Sequence, residues 1–173
     1  KTGYTANMSK DTPDLVAGYT KTALASCYID GKYQCLRNDA APDVFWYNAK
    51  LFKQWGYTVP TTWAQYETLA VQIAKDHPGY ISGFTGDAYA PNRYLWASDC
   101  PTNVQVNPTT VKIAFQDPKC TRAESLLSTL TAAKALSTDG IFDADATKAG
   151  QKLVMSPGAA WWGNYLFETT WKL

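Results

Sequence analysis

Residues 44–75 read VFWYNAKLFKQWGYTVPTTWAQYETLAVQIAK, and three structural signals fall in a fixed order within them. Val44, Phe45, Trp46 and Tyr47 form an apolar run of strand length, rich in the β-branched and aromatic side chains that fit a pleated surface. Asn48 then opens a short helical turn carrying Leu51, Phe52 and Trp55, and Gly56 ends it. Pro60 and Thr61 lead to Thr62, whose hydroxyl can accept a hydrogen bond from a free backbone N–H at a helix start while Gln65 reaches back in capping-box geometry. The spacing predicts a helix from Trp63, because Trp63, Tyr66, Ala70 and Ile73 fall at i, i+3, i+7 and i+10 on one core-facing stripe. His77, Pro78 and Gly79 stop it. Strand, short helix and capped helix in this order make one unit of an α/β domain, and nothing in the unit is catalytic.

Outward from this segment the same alternation continues. Thr12 and Pro13 with Asp14 can cap a helix running through Leu15, Val16, Tyr19, Ala23 and Leu24. Asp30-Gly31 is a tight-turn signal between Cys27-Tyr28-Ile29 and the strand-like Lys32-Tyr33-Gln34-Cys35-Leu36, which predicts a hairpin closed by a Cys27–Cys35 bridge. After the capped helix, residues 80–84 (YISGF) read as a short buried strand, followed by a loop of Thr85, Gly86, Asp87 and Ala88 at the strand's C-terminal end, where open α/β sheets carry ligand contacts. Pro91 starts a helix through Tyr94, Leu95 and Trp96, ending near Cys100-Pro101. Residues 111–115 alternate as a strand. Thr121 with Glu124 forms a second capping box before a helix whose Leu126, Leu127, Leu130 and Ala133 share a face and which Asp139-Gly140 ends. Asp143 caps a short helix to Lys148, and Leu153, Val154 and Met155 form another buried strand. The predicted fold class is α/β, with a mixed, mostly parallel sheet flanked by helices.

A chain of 173 residues is long enough for one well-buried domain and too short for two large ones. No apolar run approaches the roughly 18 residues of a membrane span. A net charge of +1 provides no broad field for nucleic acid or anionic lipid, so no nucleic-acid partner is expected and a neutral ligand fits best. Seven Trp and eleven Tyr exceed what a core of this size needs, and flat rings are surfaces on which sugars stack. Cys27, Cys35, Cys100 and Cys120 contain no CxxC pair and have only His77 to join them in a zinc site, so disulfides are the better reading. Separations of 8 and 20 residues suit local bridges Cys27–Cys35 and Cys100–Cys120, although three connectivities are open, and oxidised pairs imply a compartment outside the cytosol.

Little here could do bond-breaking chemistry. There is no GxSxG elbow, HExxH, P-loop or GxGxxG, and the single His77 sits at a helix end beside Pro78-Gly79. Two carboxylates could still make a glycosidase. Glu67 and Glu124 fall on solvated helix faces, so Glu168, which follows the Trp pair, is the one to watch. Asp139, Asp143 and Asp145 lack the oxygen spacing of an EF-hand loop, so no metal and no cofactor is expected.

The order Tyr47-Asn48, Lys50-Leu51-Phe52, Gly56, then Pro60-Thr61-Thr62-Trp63 resembles the "YN-K-LF-G-P-TW" signature of the extracellular solute-binding proteins of ABC importers, especially their sugar-binding branch. A second segment agrees with it. Gly150-Gln151-Lys152-Leu153-Val154-Met155, followed by Gly158 and Trp161-Trp162, is similar to the family's "G-K-x-A-M … G-x-W", and together the likeness spans residues 28–173. It implies one lobe of a type II periplasmic-binding-protein fold, with residues 1–40 as the end of the first lobe and its crossover strand and residues 41–173 as a second ligand-binding lobe, incomplete at its C-terminal end. It further implies a non-catalytic protein, extracellular or periplasmic, that hands a sugar or oligosaccharide to ABC transporter permease subunits and meets the membrane only through a lipoprotein anchor not present in this chain. The polar start at Lys1, without a signal or lipobox cysteine, and an ending of apolar and β-favouring residues at Glu168–Leu173 read as a trimmed piece cut within a strand.

The resemblance also points to site residues. Trp161 and Trp162 stand at a strand-to-helix junction where a ring can project into a cleft. The family places its Trp two residues after Gly, where this chain has Ala160, so either indole could face the ligand. Arg93 and Tyr94 match a position offering a polar or phenolic group, Asn38 and Asp39 match polar contacts at the crossover, and Asp87 lies in the loop after Phe84. The other classes considered are a carbohydrate-active enzyme using Glu168 and a stand-alone carbohydrate-binding module held by its disulfides.

Overall fold

The computed structural model describes residues 5–39, 41–87, 89–107 and 109–173. Residues 1–4 of the polar start, Ala40 before the main unit and Ala88 of the loop after Phe84 lie outside the described residues. The chain divides into two compact units, residues 1–42 and 43–173.

The first unit holds helices α1 (Met8–Asp11) and α2 (Pro13–Ala17) and the hairpin of β1 (Tyr28–Ile29) and β2 (Lys32–Tyr33). Asp30 and Gly31 both take left-handed backbone, at φ 53° and 77°, the conformation a two-residue hairpin turn demands. A disulfide joins Cys27 to Cys35 across it. The helix expected through Leu24 stops at Ala17. Among the described residues of this unit only Leu24 and Cys27 are buried, so a longer helix would have no apolar surface to rest on.

The second unit is built on a mixed sheet. Strand β3 (Asp43–Tyr47) runs antiparallel to β6 (Met155–Ala159), with Asp43 opposite Ala159 and Tyr47 opposite Met155. Parallel pairing follows on β6's other side: Ile81 bridges Leu153, and Phe84 in turn bridges Ser137. The named strands all pair antiparallel, and the parallel part is confined to these bridges, less than the mostly parallel sheet the sequence implies. Between these bridges the Ser82 N–H donates to the Ala135 carbonyl, while the Ser82 carbonyl accepts from the Tyr66 hydroxyl.

Helix α3 (Ala49–Trp55) begins where Asn48 accepts from the Leu51 N–H at 3.1 Å and ends at Gly56, φ 71°. Helix α4 (Trp63–Asp76) begins at the predicted residue, with the Thr62 hydroxyl accepting from Gln65 N–H at 3.2 Å. Gln65 reaches back to the N–H of Thr61, at 2.8 Å, one residue before the Thr62 N–H a capping box uses. Helix α5 (Ala90–Ala97) is tied to α6 (Pro118–Ala132) by the Cys100–Cys120 disulfide, and between them β4 (Val104–Asn107) and β5 (Thr110–Lys112) form an exposed hairpin. The strand expected over 111–115 thus pairs only to Lys112. Helix α6 starts three residues before Thr121, because Asp117 caps it by accepting from Lys119 N–H and Pro118 fills the first position, whose N–H needs no partner. Helix α7 (Ala146–Gly150) precedes β6, and a π-helix (Gly163–Thr170) follows it. The ending read as a strand is therefore helical as far as Thr170: Trp171 N–H reaches the Leu166 carbonyl five residues back, and the Thr169 and Thr170 hydroxyls satisfy the carbonyls of Asn164 and Tyr165.

Two apolar clusters hold this unit. Tyr66, Ala70 and Ile73 of α4 pack with Leu126 and Leu130 of α6, Phe52 and Met155; Ile81, Phe84, Leu153, Trp162, Leu166 and Trp171 make the second. Every residue of β6 is buried, so it is the spine on which both clusters rest.

Candidate functional site

Parallel pairing gives residues 81–85, residues 135–137 and β6 one direction, so all three leave the sheet at the same edge. Because β3 is antiparallel to β6, its first residue, Asp43, lies there too. The loops at this edge interlock: a Cβ on Gly86 would stand 2.1 Å from the Thr138 carbonyl oxygen, a separation only glycine permits.

Each strand end delivers a side chain to this edge. After β6, Trp161 is half-buried, with its ring at 8° to that of Phe142 and 6.1 Å between centroids. Tyr165 stands 6.0 Å from Trp161 and 6.4 Å from Phe142. Phe142 and Tyr165 are 68% and 54% exposed, so three rings form one solvent-facing rim. Beneath it Trp162 is fully buried, edge-on to Phe84, with the Arg93 guanidinium 4.8 Å from its ring centre. Arg93 Nε donates to Asp43 Oδ1 at 3.2 Å, closing a Trp162–Arg93–Asp43 chain from core to surface.

The candidate residues thus separate. Trp161 is on the rim, whereas Trp162, offered on equal terms, is fully buried beneath Arg93. Tyr94 is not at a surface: it lies in the core, 3.1 Å from the Tyr66 hydroxyl. Burial pushes its phenol up to about 12 and likewise raises that of Tyr66 well above the usual tyrosine range, so both stay protonated, Tyr66 donating to Ser82 and Tyr94 to Tyr66. Asp87 caps α5, its Oδ1 accepting from the N–H groups of Tyr89 and Ala90 at 2.8 Å each, while Oδ2 is buried without a hydrogen-bond partner among the described residues. Asn38 and Asp39 are exposed residues of the first unit. Phe142 and Tyr165 escaped the sequence reading. Tyr165 follows Trp161 by four residues, a visible signal, but Phe142 becomes a neighbour only through the pairing of residues 84 and 137.

The carboxylates nearby are occupied by the backbone and by hydroxyls: Asp139 accepts from Ser137 and Asp143 from Gly140 N–H. Glu168 is exposed on the π-helix. Among the described residues no group of three or more His, Cys, Asp or Glu is placed to hold a metal, and no helix is long and apolar enough to cross a membrane. The arrangement offers a flat apolar rim beside polar groups.

This fold is the lobe fold of the solute-binding proteins of ABC transporters. The chain is similar to the ABC transporter associated binding protein from B. animalis subsp. lactis in complex with β-1,6-galactobiose (TM-score 0.79, 24% identity, over 92% of this chain and 41% of that one). It is likewise similar to the galacto-N-biose/lacto-N-biose I-binding protein of the ABC transporter from Bifidobacterium longum (0.77, 20%, 96% and 42%). A third is the GacH receptor of Streptomyces glaucescens, solved unliganded and with acarbose (0.68, 23%, 92% and 42%). The chain spans about two-fifths of the length of these structures. No family model matches the sequence, and characterised proteins yield no match by sequence.

Proposed function

We propose that the chain is the greater part of one lobe of a sugar-binding protein serving an ABC importer outside the cell, with residues 1–40 ending the first lobe and residues 41–173 making the second. The observation that carries this is the rim of Trp161, Phe142 and Tyr165 at the carboxyl edge of the strands, the edge at which open α/β sheets take ligands. A pyranose laid on Trp161 buries its C–H face while its hydroxyls reach toward the Asp43 carboxylate of the Arg93–Asp43 pair. Two disulfides accord with an oxidising compartment. The partners are then a neutral saccharide and the permease subunits, and the sugar leaves unchanged.

In a hinged clamp affinity is shared between two surfaces, so these residues alone are expected to bind at only about millimolar strength. Saturation-transfer NMR with lacto-N-biose and β-1,6-galactobiose tests the site. A transfer signal for the native chain that disappears in Trp161→Ala, with no reducing sugar released, is expected. A signal of equal strength in Trp161→Ala, or cleavage abolished by Glu168→Gln, would refute the proposal.

A further inference from the structure

A cavity of about 780 Å³ opens on the second unit. It is a groove between the loop joining α3 to α4 and the outer face of α4, and neither Trp161, Phe142 nor Tyr165 lines it. None of its twelve lining residues carries a charge; Glu67 and Lys75 of the same helix are not among them, and the nearby Asp76 carboxylate is engaged by the Tyr57 hydroxyl. Its floor is a row of uncharged hydrogen-bonding side chains, Thr61, Gln65, Thr68 and Gln72, all exposed.

That row has a defined polarity. The Gln65 carbonyl oxygen is occupied by the N–H and hydroxyl of Thr61, which leaves the Gln65 amide N–H groups as donors. The Thr68 hydroxyl donates to the Ala64 carbonyl at 3.0 Å, which leaves its oxygen as an acceptor. Gln72 offers both. Donor and acceptor therefore alternate along the helix, which suits hydroxyl groups, since each hydroxyl both gives and takes. The row advances by about 5 Å per helical turn, close to the length of one pyranose along a glycan. Alternate side chains of an extended peptide recur at about 7 Å and fall out of step with it.

The end wall is rigid. Trp55 stacks on His77 at 3.6 Å and 10°, and meets Tyr57 and Tyr80 edge-on at 6.0 and 5.0 Å. Rings locked in this way lose little freedom when a ligand arrives.

We propose that this groove is a second binding site, for a neutral oligosaccharide of a few rings lying along α4. It stands independently of the rim. The volume falls within the range of small-molecule sites.

The test is a 1H–15N correlation titration of the native chain with maltotetraose, cellotetraose and a neutral Ser- and Gln-rich peptide. Shifts of the Thr61, Gln65, Thr68 and Gln72 amides with at least one tetrasaccharide are expected to persist in Trp161→Ala. They should weaken about tenfold in Gln72→Lys or Thr68→Lys, the worth of one good hydrogen bond. Both are exposed helix positions where lysine is well tolerated. The proposal is overturned if neither tetrasaccharide moves these signals, if the peptide alone does, or if the shifts vanish in Trp161→Ala, which would leave the rim as the one sugar site.

Discussion

Gly158→Ala is expected to destabilise the second unit by about 3 kcal/mol, lowering its melting temperature by roughly 10 °C. A Cβ there would stand 2.5 and 2.6 Å from two carbons of the Trp162 indole, closer than carbon atoms approach. Trp162 has nowhere to retreat: it is fully buried, with Phe84 and Phe167 edge-on and Arg93 above. Nor can β6 move, since its register with β3 is set at five successive pairs and all its residues are buried. Thermal unfolding checks this, and Trp162→Phe should recover part of the loss in the double variant by vacating the space. An unchanged melting temperature in Gly158→Ala would show that the indole is not packed on this strand. The aromatic rim is coupled to this contact, because Trp161 projects from the same turn that Trp162 anchors.

Removing the Cys100–Cys120 bridge by paired serine substitution is expected to cost about 3 kcal/mol, the chain entropy restored to an unfolded loop of this length. The bridge spans 20 residues and joins the end of α5 to the start of α6. Both sulfurs are buried, and Cys120 packs among Ala123, Leu126 and Tyr94, so serine also places two hydroxyls where apolar atoms belong. Between the two cysteines Val106 and Val111 on the hairpin, and Ile113 just after it, are each more than half exposed. Freed of its anchor, an apolar hairpin with open edges is prone to pair with other chains, so concentration-dependent aggregation should accompany the lower stability. Denaturant titration at low protein concentration measures the first effect and light scattering the second. A bridge-free chain as stable as the native one would mean that α5 and α6 hold their places by packing alone.

What could be read from residues 44–75 was local chemistry. Asn48, Thr62 and Gly56 act on backbone groups within four residues, so the boundaries of α3 and α4 and the buried stripe of Tyr66, Ala70 and Ile73 could be seen in the chain. The Asp30-Gly31 hairpin and its disulfide were legible for the same reason. What required the folded chain was non-local. Phe142 reaches Trp161 only because residues 135–137 pair with the strand holding Phe84, and that segment carries no strand signal of its own. Tyr94 resembled a ligand contact by position, yet its hydroxyl is consumed by Tyr66, 28 residues away. The C-terminal residues have β-favouring side chains, but the hydroxyls of Thr169 and Thr170 are spent on carbonyls within a π-helix, where propensity gives way to satisfaction of the backbone.

The proposed role depends on a sugar resting on the Trp161 ring with every bond intact. A crystal structure of the chain soaked with lacto-N-biose addresses this most directly. The intact disaccharide should lie with one apolar ring face on Trp161, beside Phe142 and Tyr165. A bare rim with the sugar bound elsewhere, or a cleaved product against Glu168, would contradict it.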